Sequence, residues 1–146
     1  MNVFIDSSGF IALITKDDKN HEAAKRVWHE MLRQNASLVT SDYVLVETLA
    51  LIQRRLGMEV LKTFANSILL LVAVRRADKE LLDTAIDRLL QSAKAEANIV
   101  DRISFEMMRQ ADISDVFGFD RHFERSGFLL LKDLTSFQTG SDKVTQ

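Results

Sequence analysis

Apolar and polar positions follow two periods along this chain, one of two residues and one near 3.6, and the switches between them mark its elements. Met1 to Asp6 is a short β-favouring run that ends in Asp-Ser-Ser-Gly, where a strand-end signal meets a helix N-cap signal. His21 to Gln34 carries Ala24, Val27, Trp28, Met31 and Leu32 at the spacing of an amphipathic helix, with Lys, Arg, Glu and His on the other face. Ser37 to Thr40 is a brief strand. Ser41 or Asp42 caps a helix from Tyr43 to Leu56 that Gly57 closes, and a further helix runs from Met58 to about Ala65.

Ile68 to Val74 is apolar at every position, the pattern of a strand covered on both faces, with part of it open to a helical reading. Asp78 caps a long helix to about Ala93 whose buried stripe is Leu81, Leu82, Ala85, Ile86, Leu89 and Leu90. A helix from about Val100 to Ala111, a strand at Val116 to Phe119, a helical turn from Arg121 and a strand at Phe128 to Leu131 follow. Strands separated by helices predict an α/β domain with a central, mostly parallel sheet of about five strands, whose crossovers put helices on its faces. That domain takes in residues 1–132, and residues 133–146 read as a polar C-terminal tail.

At 146 residues and 47% hydrophobic, the chain suits one domain with one core. Lys and Arg number 19 against 21 Asp and Glu, so no global positive field draws nucleic acid or anionic membrane, and any such contact is local. The absence of cysteine excludes disulfides, thiolate zinc sites and thiol nucleophiles, so a metal here needs oxygen or imidazole ligands. The longest apolar run falls far short of the ~20 residues of a membrane span, and no basic leader precedes the first strand. A soluble, cytoplasmic protein is the expectation.

Four carboxylates stand where a solvated surface explains them poorly. Asp6 and Asp120 each follow a strand at its C-terminal end, where open α/β sheets place their ligands; each is equally a helix N-cap. Glu47 has Tyr43, Val44, Ala50 and Leu51 as its helical neighbours, so it is paired, neutralised or metal-bound, or it snorkels at the stripe edge. Asp101 opens a helix on a face shared with Ser104, Phe105 and Met108, where an acid also suits the positive end of the helix dipole.

The segments Val3-Phe-Ile-Asp6-Ser7-Ser8, Tyr43-Val-Leu-Val-Glu47-Thr48, Val100-Asp101-Arg-Ile-Ser-Phe105 and Phe119-Asp120-Arg-His-Phe123, followed by Ser126-Gly-Phe128, resemble the PIN-domain ribonucleases. The resemblance is to the small VapC-type toxins of toxin–antitoxin pairs, and it runs from Val3 to Leu131 with all four acids in order. The chain departs from the pattern at Val100, where such proteins often carry Thr or Ser.

The resemblance implies a three-layer α/β/α domain in which Asp6, Glu47, Asp101 and Asp120 converge at one end of the sheet. It implies Asp6 and Asp101 as main ligands of Mg²⁺ or Mn²⁺, with Asp120 and Glu47 completing the site directly or through waters. Clustered carboxylates suit such oxygen-seeking ions, and one or two of them promote hydrolysis of an RNA phosphodiester. Glu47 or Asp120 is then the candidate to orient the attacking water. A small antitoxin that blocks the acids with a basic side chain, and a homodimer, are implied as partners.

Ser8 is a candidate for the metal shell or a phosphate, and equally for helix capping. Arg54, Arg55, Arg75, Arg76, Arg102 and Arg121 are candidates for phosphate contact, although most such side chains are merely solvated or salt-bridged. His21 and His29 read as surface residues, and His122, two residues after Asp120, reads as structural, with an acid, base or RNA contact as the alternative. Two other classes compete: a silent PIN-fold module that only holds RNA or protein, which loss of an acid would mark, and a phosphoryl-accepting Asp6, which lacks the neighbouring acid such sites carry.

Overall fold

A computed structural model describes residues 1–93 and 97–138 of the chain. Strands β1 (Asn2–Ile5), β2 (Ser37–Ser41), β3 (Ala73–Arg75), β4 (Asp115–Phe117) and β5 (Leu129–Leu131) form one sheet in the order β3-β2-β1-β4-β5, with every pair parallel. Among the described residues, seven α-helices connect them: α1 (Ser7–Ile14), α2 (His21–Arg33), α3 (Asp42–Arg55), α4 (Met58–Asn66), α5 (Lys79–Gln91), α6 (Ile99–Gln110) and α7 (Arg121–Arg125). Successive strand residues point to opposite faces, yet Val3, Phe4 and Ile5 of the central strand are all fully buried. Helices therefore cover both faces, and the domain has the expected α/β/α layers.

Local signals start the helices. Ser41 Oγ accepts from Val44 N at 3.0 Å, Asp78 Oδ1 accepts from Leu81 N at 2.9 Å, and Asn98 forms a capping box with Asp101. α6 is buried on nearly every side, from Ile103 to Met108, because α5 packs over it. Its one buried acid away from the helix start, Glu106, pairs with Arg88 of α5 at 2.7 Å and with Arg109 at 2.9 Å.

Three expectations need correcting. Ile68–Leu71 is a 3-10 turn, and only Ala73–Arg75 is strand; Leu70 is 75% exposed and Leu71 and Val74 are also exposed. β3 is thus an edge strand of the sheet, and the apolar run is part surface and part core, since Val72 is buried and Ile68 and Leu69 pack against the core. In α5, Leu81 and Ala85 are buried while Ile86 and Leu90 face outward, so the stripe is narrower than its apolar residues suggest. Past Lys132, Leu134–Phe137 makes a 3-10 turn against α2 and β5, with Ser136 buried and Phe137 packed on the core. The packed part of the chain therefore continues beyond the expected boundary, and residues 139–146 of the expected tail lie outside the described residues.

Candidate active site

Asp6 leaves the central strand and caps α1, which aims its carboxylate over the C-terminal end of the sheet. Its Oδ2 accepts from Ser8 N at 3.2 Å and from Ser8 Oγ at 2.5 Å, and its own N–H donates to Phe117 O at 3.0 Å. Ser8 Oγ also accepts from Phe119 N at 3.0 Å, so one hydroxyl holds both the acid and the chain leaving β4. Two glycines permit this approach. A Cβ on Gly9 would stand 2.6 Å from Phe117 O, and one on Gly118 would stand 2.9 Å from Ser8 Oγ and 3.1 Å from Asp6 Cβ.

Asp120 lies three residues beyond β4, later than expected because the strand ends at Phe117, and it caps α7 by accepting from His122 N at 2.9 Å. Asp101 sits in the first turn of α6, where Oδ2 accepts from Asn98 N at 3.1 Å while Asn98 Oδ1 accepts from Asp101 N at 2.9 Å. Phe105 of α6 meets Phe123 of α7 edge-on at 5.0 Å and stacks on Phe128 at 5.6 Å, so the two helices that carry these acids share one aromatic floor. Glu47, half-buried on α3, accepts from Ser7 Oγ at 2.5 Å. For Asp6, Asp101 and Asp120 the capping role and a place in the cleft therefore hold together.

All four acids line one cleft of about 310 Å³, with Ser7, Ser8, Asn98 and Arg55 also in its wall. Burial pushes the Asp6 carboxyl up to about 7; the Ser8 hydroxyl opposes this, and the negative charges of Asp101 and then Asp120 reinforce it. Burial likewise raises Asp101 to about 6, with the charge of Asp120 adding to the shift and the Asn98 N–H opposing it. A bound cation would offset the burial and mutual repulsion that raise these two carboxyls. The donor set fits a hard divalent cation, since oxygens dominate and both acids gain from neutralisation.

Ser8 faces the cleft, whereas Arg121 is exposed at the start of α7 and is absent from the cleft wall. Arg55 is the one basic side chain among the described residues of that wall. Sequence reasoning missed Ser7, although it stands in the Asp-Ser-Ser run, and Asn98, although Asn three residues before Asp101 is a legible capping box. His29 is exposed as expected, but His21 is half-buried and its Nδ1 lies 2.9 Å from Ala12 O, tying α2 to α1. His122 lies with Asp101 and Asp120 in a group whose ligand atoms are within 4.8 Å of one another.

A parallel α/β/α sheet with β1 at its topological switch and four carboxylates beyond its C-terminal edge defines the class of acidic-cleft nuclease folds. The chain belongs to the PIN-domain family, whose sequence model, described as PIN domain, matches residues 3–129. It is 31% identical over 128 residues to the 23S rRNA-specific endonuclease VapC20 of Mycobacterium tuberculosis, covering 87% of this chain and 95% of the relative. The crystal structure of that protein, described as a sarcin–ricin loop cleaving toxin, superposes with a TM-score of 0.78 over 86% of this chain and 95% of that one. VapBC2 from Rickettsia felis, solved with a DNA fragment from its promoter, shares the fold at a TM-score of 0.67 and 14% identity, over 89% of this chain and 97% of that one. No helix among the described residues is long and apolar enough to cross a membrane.

Proposed function

We propose that the protein is a divalent-metal-dependent endoribonuclease, the toxin of a toxin–antitoxin pair, that hydrolyses RNA phosphodiester bonds in the cytoplasm. The observation that carries this is that Asp6, Glu47, Asp101 and Asp120, drawn from separate parts of the chain, line one cleft. The likeness to VapC20 over nearly the whole chain supports the same function. All four acids are present, which favours turnover over a silent binding module.

Asp6 and Asp101 are the main ligands for Mg²⁺ or Mn²⁺, and Asp120 and Glu47 complete the site. When bound, such an ion polarises the scissile phosphate and lowers the pKa of a bound water. Ser8 fixes the direction of the Asp6 carboxylate, and Ser7 does the same for Glu47. Glu47 or Asp120 orients the attacking water by accepting its proton's hydrogen bond. Arg55, in the same wall, is placed to meet a neighbouring phosphate of the RNA. An antitoxin would silence the site with a basic side chain among the four acids, and the chain would act as a homodimer.

The test is 5′-end mapping of ribosomal and total cellular RNA incubated with purified, partner-free protein and Mn²⁺ or Mg²⁺, beside Asp6→Asn and an EDTA control. Discrete new ends absent from both controls are expected, with structured loops of 23S rRNA the first place to look. No new ends, from folded protein that binds the ion, would favour the silent module.

A further inference from the structure

We infer that Nδ1 of His122 is a nitrogen ligand to the divalent cation held by Asp101 and Asp120, which makes the site favour Mn²⁺ over Mg²⁺. This rests on the metal-dependent function proposed above and deepens it. Its basis is the placement of one atom: Nδ1 is buried and lacks an aligned hydrogen bond while lying within ion-pair distance of two carboxylates, although the side chain as a whole is 28% exposed. Buried ring nitrogens are rarely left so, and each such case calls for a group that completes it.

The position of the atom names that group. Nδ1 lies 2.8 Å from Asp120 Oδ1 and 3.7 Å from Asp101 Oδ2, without the alignment of a hydrogen bond to either. Asp120 Oδ1 is instead taken by the backbone N–H of His122, at 2.9 Å. Three donor atoms within 4.8 Å of one another can share one ion.

The fold seats the helix that carries the ring. Asp120 caps α7 and Phe123, the residue after His122, is fully buried against Phe105, which fixes the His122 backbone beside Asp101 and Asp120. Imidazole is a common ligand of transition ions, whereas Mg²⁺ keeps to oxygen and sheds water reluctantly. One nitrogen donor therefore favours Mn²⁺.

The test uses Mn²⁺ itself as the probe, in pulsed electron paramagnetic resonance of the full chain with one equivalent of the ion. A directly bound imidazole gives a ¹⁴N coupling that changes to the ¹⁵N pattern in protein labelled at histidine. That coupling is expected in the unsubstituted chain and absent from His122→Gln and His122→Asn, which bind Mn²⁺ about tenfold more weakly, while Mg²⁺ affinity measured by competition changes much less. Bound Mn²⁺ without nitrogen coupling, or coupling that persists in both variants, overturns the inference and leaves metal-dependent cleavage standing. Folded protein that binds no Mn²⁺ overturns both.

Discussion

Ser7 Oγ donates a 2.5 Å hydrogen bond to Oε1 of Glu47, joining the first turn of α1 to the middle of α3 across the cleft. Glu47 is 40 residues from Ser7 in sequence, and this bond sets where its carboxylate points. A hydrogen bond to a charged group that orients a functional side chain affects activity more than stability.

Ser7→Ala is therefore expected to lower cleavage about tenfold while changing unfolding free energy by about 1–2 kcal/mol. Denaturant titration beside a single-turnover cleavage assay separates the two. Unchanged cleavage would show that Glu47 is positioned without Ser7.

Asp6 predicts how the metal-free fold responds to pH. Its carboxyl is raised from 3.8 to about 7, so the folded protein binds its proton more tightly than the unfolded chain does. The associated stability is fully present below about pH 4 and is lost as pH rises through about 7, with Asp101 contributing over a window that ends near 6. Metal-free protein should thus lose roughly 4–7 kcal/mol between about pH 4 and pH 8 from these acids, and Asp6→Asn should flatten that slope. Mn²⁺ or Mg²⁺ should stabilise more at the alkaline end, where the ligands are ionised. Melting curves across that range with and without the ion decide it; a flat profile in metal-free protein counts against the raised carboxyls.

A methyl group at position 118 tests the tightness of the cleft wall. It would stand 2.9 Å from Ser8 Oγ, the atom that bonds both Asp6 and Phe119 N, so Ser8 must shift. Gly118→Ala is expected to cut cleavage by about 10–100-fold and to cost about 1–3 kcal/mol of stability. Ser8→Ala removes the bond that lowers the Asp6 carboxyl, and the acid limb of the pH–rate profile should move to higher pH. A limb that stays put would detach Ser8 from the ionisation of Asp6.

Phe137 carries the packing past Lys132. It rests on the core within a 3-10 turn that touches α2 and β5. Truncation after Lys132 should destabilise the fold by about 1–3 kcal/mol relative to the full chain in denaturant titration. Equal stability of the two would restore the boundary at 132.

Most of the architecture was legible because the signals are local. Asp6 and Asp78 cap helices that begin where their sequences say, and the apolar periods of α2 and α6 find the core. The run from Ile68 to Val74 misled because apolar character predicts burial, whereas this segment lies at an open sheet edge. At the site, the two acids beyond strand ends were readable from the strand rule, and Glu47 from its apolar neighbours. The meeting of His122 with Asp101 was not, since it depends on how Phe123 seats α7 against Phe105, a contact between residues far apart along the chain. The bond from Phe119 to Ser8 spans 111 residues and leaves no periodic trace.

The order of the strands also governs how the cleft is assembled. β1 is the centre of the sheet, and the neighbour that walls in Asp6 is β4, which lies far from it along the chain. Without β4 the rest of the sheet carries Asp6 but lacks the Phe117 carbonyl and Gly118 that close on it. The wall around Asp6 therefore forms only when β4 docks beside β1.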